Sequence, residues 1–80
     1  MTKVDRRTEA AFRTRIKNET ASRGWTQAML AARMDPIGNE QTVSRLLNGN
    51  RPISAMMAGR LINALGLAGT LENPFLASGP

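Results

Sequence analysis

The chain has 80 residues and contains neither Cys nor His. A domain of this size can hold only one small core, so its net stability is modest. Without Cys and His it lacks disulfides, the usual metal ligands, the common nucleophilic triads and the usual neutral-pH proton carrier. We therefore expect no catalytic activity, no cofactor and no metal site.

The formal net charge of +5 comes from eleven Lys and Arg residues against six Asp and Glu residues. The excess lies in residues 1–33, which hold eight of the basic and three of the acidic residues, whereas residues 34–80 are balanced. This imbalance favours a polyanionic partner, and the alternative is a basic surface that only keeps the protein dissolved.

No apolar run approaches the roughly 18 residues that could span a bilayer, and the N-terminus lacks the apolar core of a signal peptide. These features predict a cytoplasmic protein without a membrane partner.

Residues 1–7 are polar and charged and show no periodicity, which predicts a flexible basic arm. Lys3, Arg6 and Arg7 would allow such an arm to follow a nucleic-acid groove. An untethered terminus has the same composition, so both interpretations stay open.

A first helix is predicted from Thr8 onward. Its apolar residues recur at near-helical spacing, at Ala11, Phe12, Ile16 and Ala21. Gly24 can adopt the left-handed conformation that ends a helix, and Trp25 would then fold back on the last turn in a Schellman motif. For Trp25 we favour a place in the core over a role in stacking on bases.

A second, short helix is predicted after Thr26, which is a suitable N-cap. The apolar residues on its inner face are Leu30, Ala31 and Met34. Asp35 and Pro36 then force the chain out of the helix, because proline disfavours helical backbone at the preceding residue.

A third helix is predicted over residues 40–48, with Asn39 as its N-cap and Gly49 as its terminator. Its apolar anchors are Val43, Leu46 and Leu47. Like the second helix, it is too short to be stable alone, so both require packing against the rest of the chain.

A fourth helix follows Ser54, which caps it, while Ile53 packs against its first turn. Its buried stripe is predicted to be Met57, Leu61, Ala64 and Leu65. Gly66 ends it. The remaining tail carries Gly69 and Pro74, which allow at most an irregular turn of helix.

Four segments, taken in their order and spacing, resemble the lambda-repressor-like helix-turn-helix domains, which include the phage repressors and the Cro proteins. They are RGWTQ (residues 23–27), LAARM (30–34), QTVSRLLNG (41–49) and AGRLINALGL (58–67). The resemblance covers roughly residues 8–67. It implies an all-α fold, a compact bundle of four to five short helices in which helices two and three form the helix-turn-helix. The chain departs from the family at DPIGNE (35–40), which replaces a tighter glycine-containing turn.

The resemblance also implies which side chains contact DNA. Gln27, at the start of helix two, corresponds to a residue that hydrogen-bonds a phosphate. The groove-facing positions of the recognition helix correspond to Glu40, Gln41, Ser44 and Arg45, and the loop that holds the DNA backbone corresponds to Asn48, Asn50 and Arg51. The first helix of the family mostly faces away from DNA, so Arg13, Arg15 and Lys17 are expected to be mainly solvated surface.

The chemistry of the groove-facing side chains agrees with these roles. Arg45 can donate two hydrogen bonds to guanine, Gln41 can pair with adenine, and Ser44 could contact a base edge or a phosphate. Glu40 is repelled by phosphates unless it accepts from a cytosine amino group, so we favour a helix-capping role for it.

We therefore expect a sequence-specific transcriptional regulator that binds a double-stranded DNA operator, of the phage-repressor or Cro type, in a bacterial or phage-infected cell. A homodimer on an inverted repeat is expected, with half-sites one helical turn, roughly 34 Å, apart. No small-molecule effector is expected. The alternative function is an antitoxin-like or adaptor module that binds another protein.

The C-terminal tail, residues 68–80, is the candidate dimer contact. Together with the end of the fourth helix it contributes four apolar residues: Leu67, Leu71, Phe75 and Leu76. The same residues could instead cap the core of a single chain.

Overall fold

A computed structural model describes residues 5–76 of the chain. It contains four helices, α1 (Arg6–Ser22), α2 (Gln27–Ala32), α3 (Glu40–Leu47) and α4 (Ala55–Ala64), and no strand in the described range. The predicted all-α fold is confirmed.

Helix α1 begins at Arg6, earlier than the predicted start at Thr8. Asp5 is its N-cap, and the Asp5 carboxylate accepts a hydrogen bond of 2.8 Å from the backbone N–H of Thr8. This hydrogen bond lowers the pKa of the Asp5 carboxyl. The apolar periodicity gave no sign of this start, because the first four residues of the helix, Arg6 to Glu9, are all polar. Arg6 and Arg7 are therefore helical rather than part of an arm, and Lys3 lies outside the described residues.

The other three helices begin at the predicted caps. The side chains of Thr26, Asn39 and Ser54 accept hydrogen bonds from first-turn N–H groups at 3.2, 2.7 and 3.1 Å. Each cap satisfies a backbone donor that has no partner within its helix.

The predicted Schellman close of α1 is present. Gly24 has a φ of 70°, and the N–H of Trp25 donates to the carbonyl of Thr20 at 3.1 Å. Helix α2 ends at Ala32, before the predicted limit at Met34. A hydrogen bond of 2.8 Å from the N–H of Gly38 to the carbonyl of Ala31 holds the loop that follows against the end of α2.

The core lies where all four helices meet. The rings of Phe12 on α1 and Phe75 in the tail contact edge to face, with centroids 5.3 Å apart. Thr20 is a buried polar residue, and its hydroxyl donates to the carbonyl of Ile16 at 2.7 Å, so it is satisfied within α1. The buried apolar residues are Phe12, Ile16, Leu30, Ala31, Met34, Val43, Leu46, Leu47, Ile53, Ala58, Leu61, Ile62, Leu65, Leu67 and Phe75.

Most of the apolar tail belongs to this core. Leu67 and Phe75 are buried and Leu71 packs against them, whereas the side chain of Leu76 is 71% exposed. The side chain of Asn73 binds the tail to the start of α4, because its amide donates a hydrogen bond of 2.9 Å to the carbonyl of Ala55. Three of the four candidate dimer residues therefore pack within their own chain.

We predict that Phe75→Ala lowers the free energy of unfolding by about 3 kcal/mol, because it removes a buried ring that contacts Phe12. Met56→Ala is the control and should change stability by less than about 0.5 kcal/mol, since Met56 is 76% exposed. Urea unfolding followed by the fluorescence of Trp25 measures both. Equal stability of the two variants would show that the tail is not part of the core.

Candidate nucleic-acid interface

The predicted DNA-contacting residues of α2 and α3 line one depression of about 260 Å³. We call it the recognition surface. It is lined by Gln27, Glu40, Gln41, Ser44 and Arg45. All four predicted base-reading residues therefore lie together, and Gln27 of α2 stands beside them.

Apart from Gln27, the recognition surface is formed by the polar face of the amphipathic helix α3. Gln41 and Arg45 are exposed and Ser44 is half-buried, whereas the opposite face of α3 is fully covered. The buried residues on that opposite face are Val43, Leu46 and Leu47. Burial of one face holds α3 rigidly while its polar side chains project outward, as direct contact with base edges requires.

The N-terminus of α3 is capped by Asn39 and not by Glu40. The Asn39 side chain accepts from the N–H groups of Gln41 and Thr42, which leaves Glu40 as the first helical residue, with an exposed side chain. The capping role favoured for Glu40 is thus wrong, because the preceding residue takes it. In its observed place the Glu40 carboxylate interacts favourably with the positive end of the helix dipole.

The loop that follows α3, residues 48–51, is ordered by a left-handed glycine and by side-chain contacts. Gly49 has a φ of 82°, and the N–H of Asn50 donates back to Arg45 at 2.9 Å. The amide of Asn48 donates to the hydroxyl of Ser44 at 3.2 Å, which joins this loop to the recognition surface. Asn48, Asn50 and Arg51 are all exposed, as a backbone-contacting loop requires.

Several basic side chains of the first 33 residues are used inside the domain. Arg15 and Arg23 both bond to Glu19, at 2.8 and 2.9 Å, and Arg23 also donates to the carbonyl of Leu65 at 2.7 Å. The hydrogen bonds from Arg23, and next from Arg15, hold the pKa of the Glu19 carboxyl below its ordinary value. Lys17 on the same helix is exposed.

Trp25 packs against the core, as expected, and is half-buried. The guanidinium of Arg33 lies over its ring at 4.2 Å from the centroid, and that of Arg23 lies at 5.6 Å. The ring is therefore engaged by cations of its own chain, which argues against a base-stacking role.

Arg60 was not identified from the sequence. Its Nη2 donates to the carbonyl of Pro36, in the long loop between α2 and α3. Gly38 packs closely in the same loop, since a Cβ there would lie 2.7 Å from the sulfur of Met34. The sequence does show that Arg60 is an arginine within the mostly apolar α4, which indicates a specific role. Nothing in the sequence shows that its partner is a loop 24 residues earlier.

The geometry is that of a short, exposed helix supported by a second short helix, and the comparison with known families agrees. A family model described as helix-turn-helix matches residues 15–70 of the chain. The chain belongs to this lambda-repressor and Cro-like helix-turn-helix family, whose members are DNA-binding transcription regulators.

No curated protein and no solved structure matches the chain. Within residues 5–76, no helix is long and apolar enough to cross a membrane. The same range contains no cluster of three acidic residues that could hold a metal ion.

We predict that Asn39→Ala lowers the free energy of unfolding by about 1 kcal/mol, because the first N–H groups of α3 lose their acceptor. Asn39→Asp keeps an oxygen at the same position and should retain most of the stability. Urea unfolding, with hydrogen exchange at the amides of Gln41 and Thr42, distinguishes the two. Unchanged exchange in the alanine variant would contradict the capping role.

Proposed function

We propose that the protein is a repressor of the phage or prophage type, which binds an inverted-repeat operator in double-stranded DNA as a homodimer. The observation that carries the proposal is the recognition surface, where Gln27 of α2 and four polar residues of α3 line one exposed depression. The supporting family assignment is to DNA-binding transcription regulators.

The proposed docking places α3 in the major groove, which is wide enough for one helix. Arg45 and Gln41 would contact base edges, and Ser44 a base edge or a phosphate. Glu40 would contact bases only through a cytosine amino group, which donates to a carboxylate.

Phosphate contacts would flank this helix on both sides. Gln27 would hydrogen-bond one backbone, and the loop residues Asn48, Asn50 and Arg51 the other. The basic residues at the N-terminus, Lys3, Arg6 and Arg7, would add contacts that carry no sequence information. Arg6 and Arg7 are exposed in the first turn of α1, which leaves their guanidinium groups available.

A single domain of this size contacts few base pairs, so tight specificity calls for two copies on a symmetric site. Such a regulator would respond to its own concentration rather than to a small-molecule effector. It would act in the cytoplasm of a bacterial or phage-infected cell.

The second copy would bind beside the tail. Leu76 is exposed. Pro74, two residues earlier, lines a depression of about 270 Å³ between α1 and the tail, together with Phe12 and Leu71. Arg15 and Glu72 line the same depression with opposite charges.

The function is tested by selecting bound sites from random duplex DNA. A palindromic consensus is expected. Binding that is indifferent to sequence would contradict the repressor role. No binding to any duplex at low salt, with affinity for a protein partner, would support the antitoxin-like or adaptor alternative instead.

We predict that Arg45→Ala and Arg51→Ala weaken binding in different ways. Arg45→Ala should cost about 1–3 kcal/mol per half-site on the selected operator and relax discrimination at one symmetric pair of positions, because it removes a base contact. Arg51→Ala should weaken operator and scrambled duplex by similar factors and reduce the magnitude of the log–log salt slope by about 0.9 per subunit, because it removes a phosphate contact.

The measurement for this pair is titration of each variant against operator, singly substituted operators and scrambled duplex at several salt concentrations. Lys17→Ala removes an exposed charge from α1 and is the control. Uniform losses from both arginine variants would show that Arg45 does not contact bases.

We predict that Leu76→Glu weakens dimerisation by at least about tenfold, because it places a charge in an apolar contact. Met56→Glu is the control, since Met56 is 76% exposed and lies on α4. Sedimentation over a concentration series gives the dissociation constant of each variant. A dimer that tolerates Leu76→Glu would place the two-fold contact elsewhere.

A further inference from the structure

Arg13 of α1 connects three parts of the chain through one guanidinium. Its Nε donates to the carbonyl of Leu46 at 2.6 Å, and its Nη2 donates to the carbonyl of Arg51 at 3.0 Å. The same Nη2 lies 2.6 Å from the carboxylate of Glu9. These contacts join α1 to the last turn of α3 and to the loop after it, across sequence separations of 33 and 38 residues.

The two carbonyls that Arg13 reaches are structurally important. Leu46 lies in the last turn of α3, where carbonyls lack partners within the helix and carry the negative end of the helix dipole. A cation that donates to such a carbonyl satisfies it and stabilises the end of the helix. The hydrogen bond from Arg13 to the carbonyl of Arg51 fixes the backbone of the loop at Arg51, the residue proposed to contact a phosphate.

The side chain of Arg13 is turned away from solvent. It is 15% exposed and is bonded to two carbonyls and a carboxylate, whereas the side chain of Arg51 is exposed. The guanidinium also lies alongside the loop, because a Cβ on Gly49 would be 4.0 Å from its central carbon. The hydrogen bonds and the ion pair within the chain thus satisfy the guanidinium of Arg13 without any contact to DNA.

We infer that Arg13 is a positioning residue for DNA binding: it holds the loop after α3, and through it Arg51, in the geometry that meets a backbone phosphate. This inference rests on the proposed function. The competing explanation is that Arg13 itself contacts a phosphate.

The substitution Arg13→Lys distinguishes positioning of the loop from direct phosphate contact. A guanidinium presents its donors in a rigid planar fork, so it reaches the carbonyls of Leu46 and Arg51 together, whereas an ammonium is a single point charge on a flexible stem. Arg13→Lys therefore keeps the charge that a phosphate contact needs and loses the forked bonding that positioning needs.

The first experiment measures the loop without DNA. In Arg13→Lys, the amide of Asn50 should exchange with solvent at least about tenfold faster than in the wild type, while core amides of α4 keep their protection. Arg15→Lys, which changes an exposed arginine on the same helix, is the control and should leave Asn50 unchanged. Equal exchange of Asn50 in the wild type and Arg13→Lys would overturn the inference.

The second experiment is a double-mutant cycle on the selected operator, at a temperature where every variant is folded. Arg13→Lys should weaken binding by about tenfold, and the double variant with Arg51→Ala should bind no more weakly than Arg51→Ala alone, because both changes act on one contact. Wild-type affinity in Arg13→Lys would overturn the positioning role and favour a direct phosphate contact. Additive losses would also overturn it, because Arg13 would then act independently of Arg51.

A third measurement uses the wild-type chain and so does not depend on a variant that folds. The Nε–H resonance of Arg13 should be slowly exchanging in the free protein and should keep its chemical shift when operator is added. A large shift on binding would mean that Arg13 changes partners and contacts DNA. If the wild type binds no duplex, the proposed function fails, while the exchange of Asn50 still decides whether Arg13 holds the loop.

Discussion

The burial of the apolar face of α3 against α1 and α2 is the interaction on which the rest of the structure depends. A helix of eight residues is not stable alone in water, so α3 exists only because this face is packed. Val43, Leu46 and Leu47 leave almost no surface exposed. The same packing orients the opposite face outward, and the recognition surface is therefore a direct consequence of the core.

Five of the arginines fall into two groups that composition alone does not separate. Arg13, Arg23 and Arg60 donate to backbone carbonyls and hold loops and helix ends. Arg45 and Arg51 are exposed on α3 and on the loop after it. The net charge of +5 is consequently a poor measure of how many cations face a nucleic acid, because some of the positive groups serve as structural hydrogen-bond donors.

The apolar residues of the tail divide between the core and the surface. Leu67, Leu71 and Phe75 complete the core, and Phe75 contacts Phe12 of α1 edge to face. Leu76, the next residue, is exposed. A small domain that uses most of its apolar residues internally has few left for a partner, so a dimer contact here would be small and sensitive to single substitutions.

The sequence by itself determined the presence of the four helices, three of their four N-caps and the polar face of α3. These features are local, since a cap at Thr26, Asn39 or Ser54 acts within one turn and an amphipathic pattern repeats every few residues. The start of α1 at Arg6 was missed because four polar residues separate its cap, Asp5, from the first apolar residue of the helix, Ala10. Only the tertiary structure decided that Arg13 and Arg60 bind distant carbonyls, because hydrogen bonds across 24 to 38 residues leave no periodic trace in the chain.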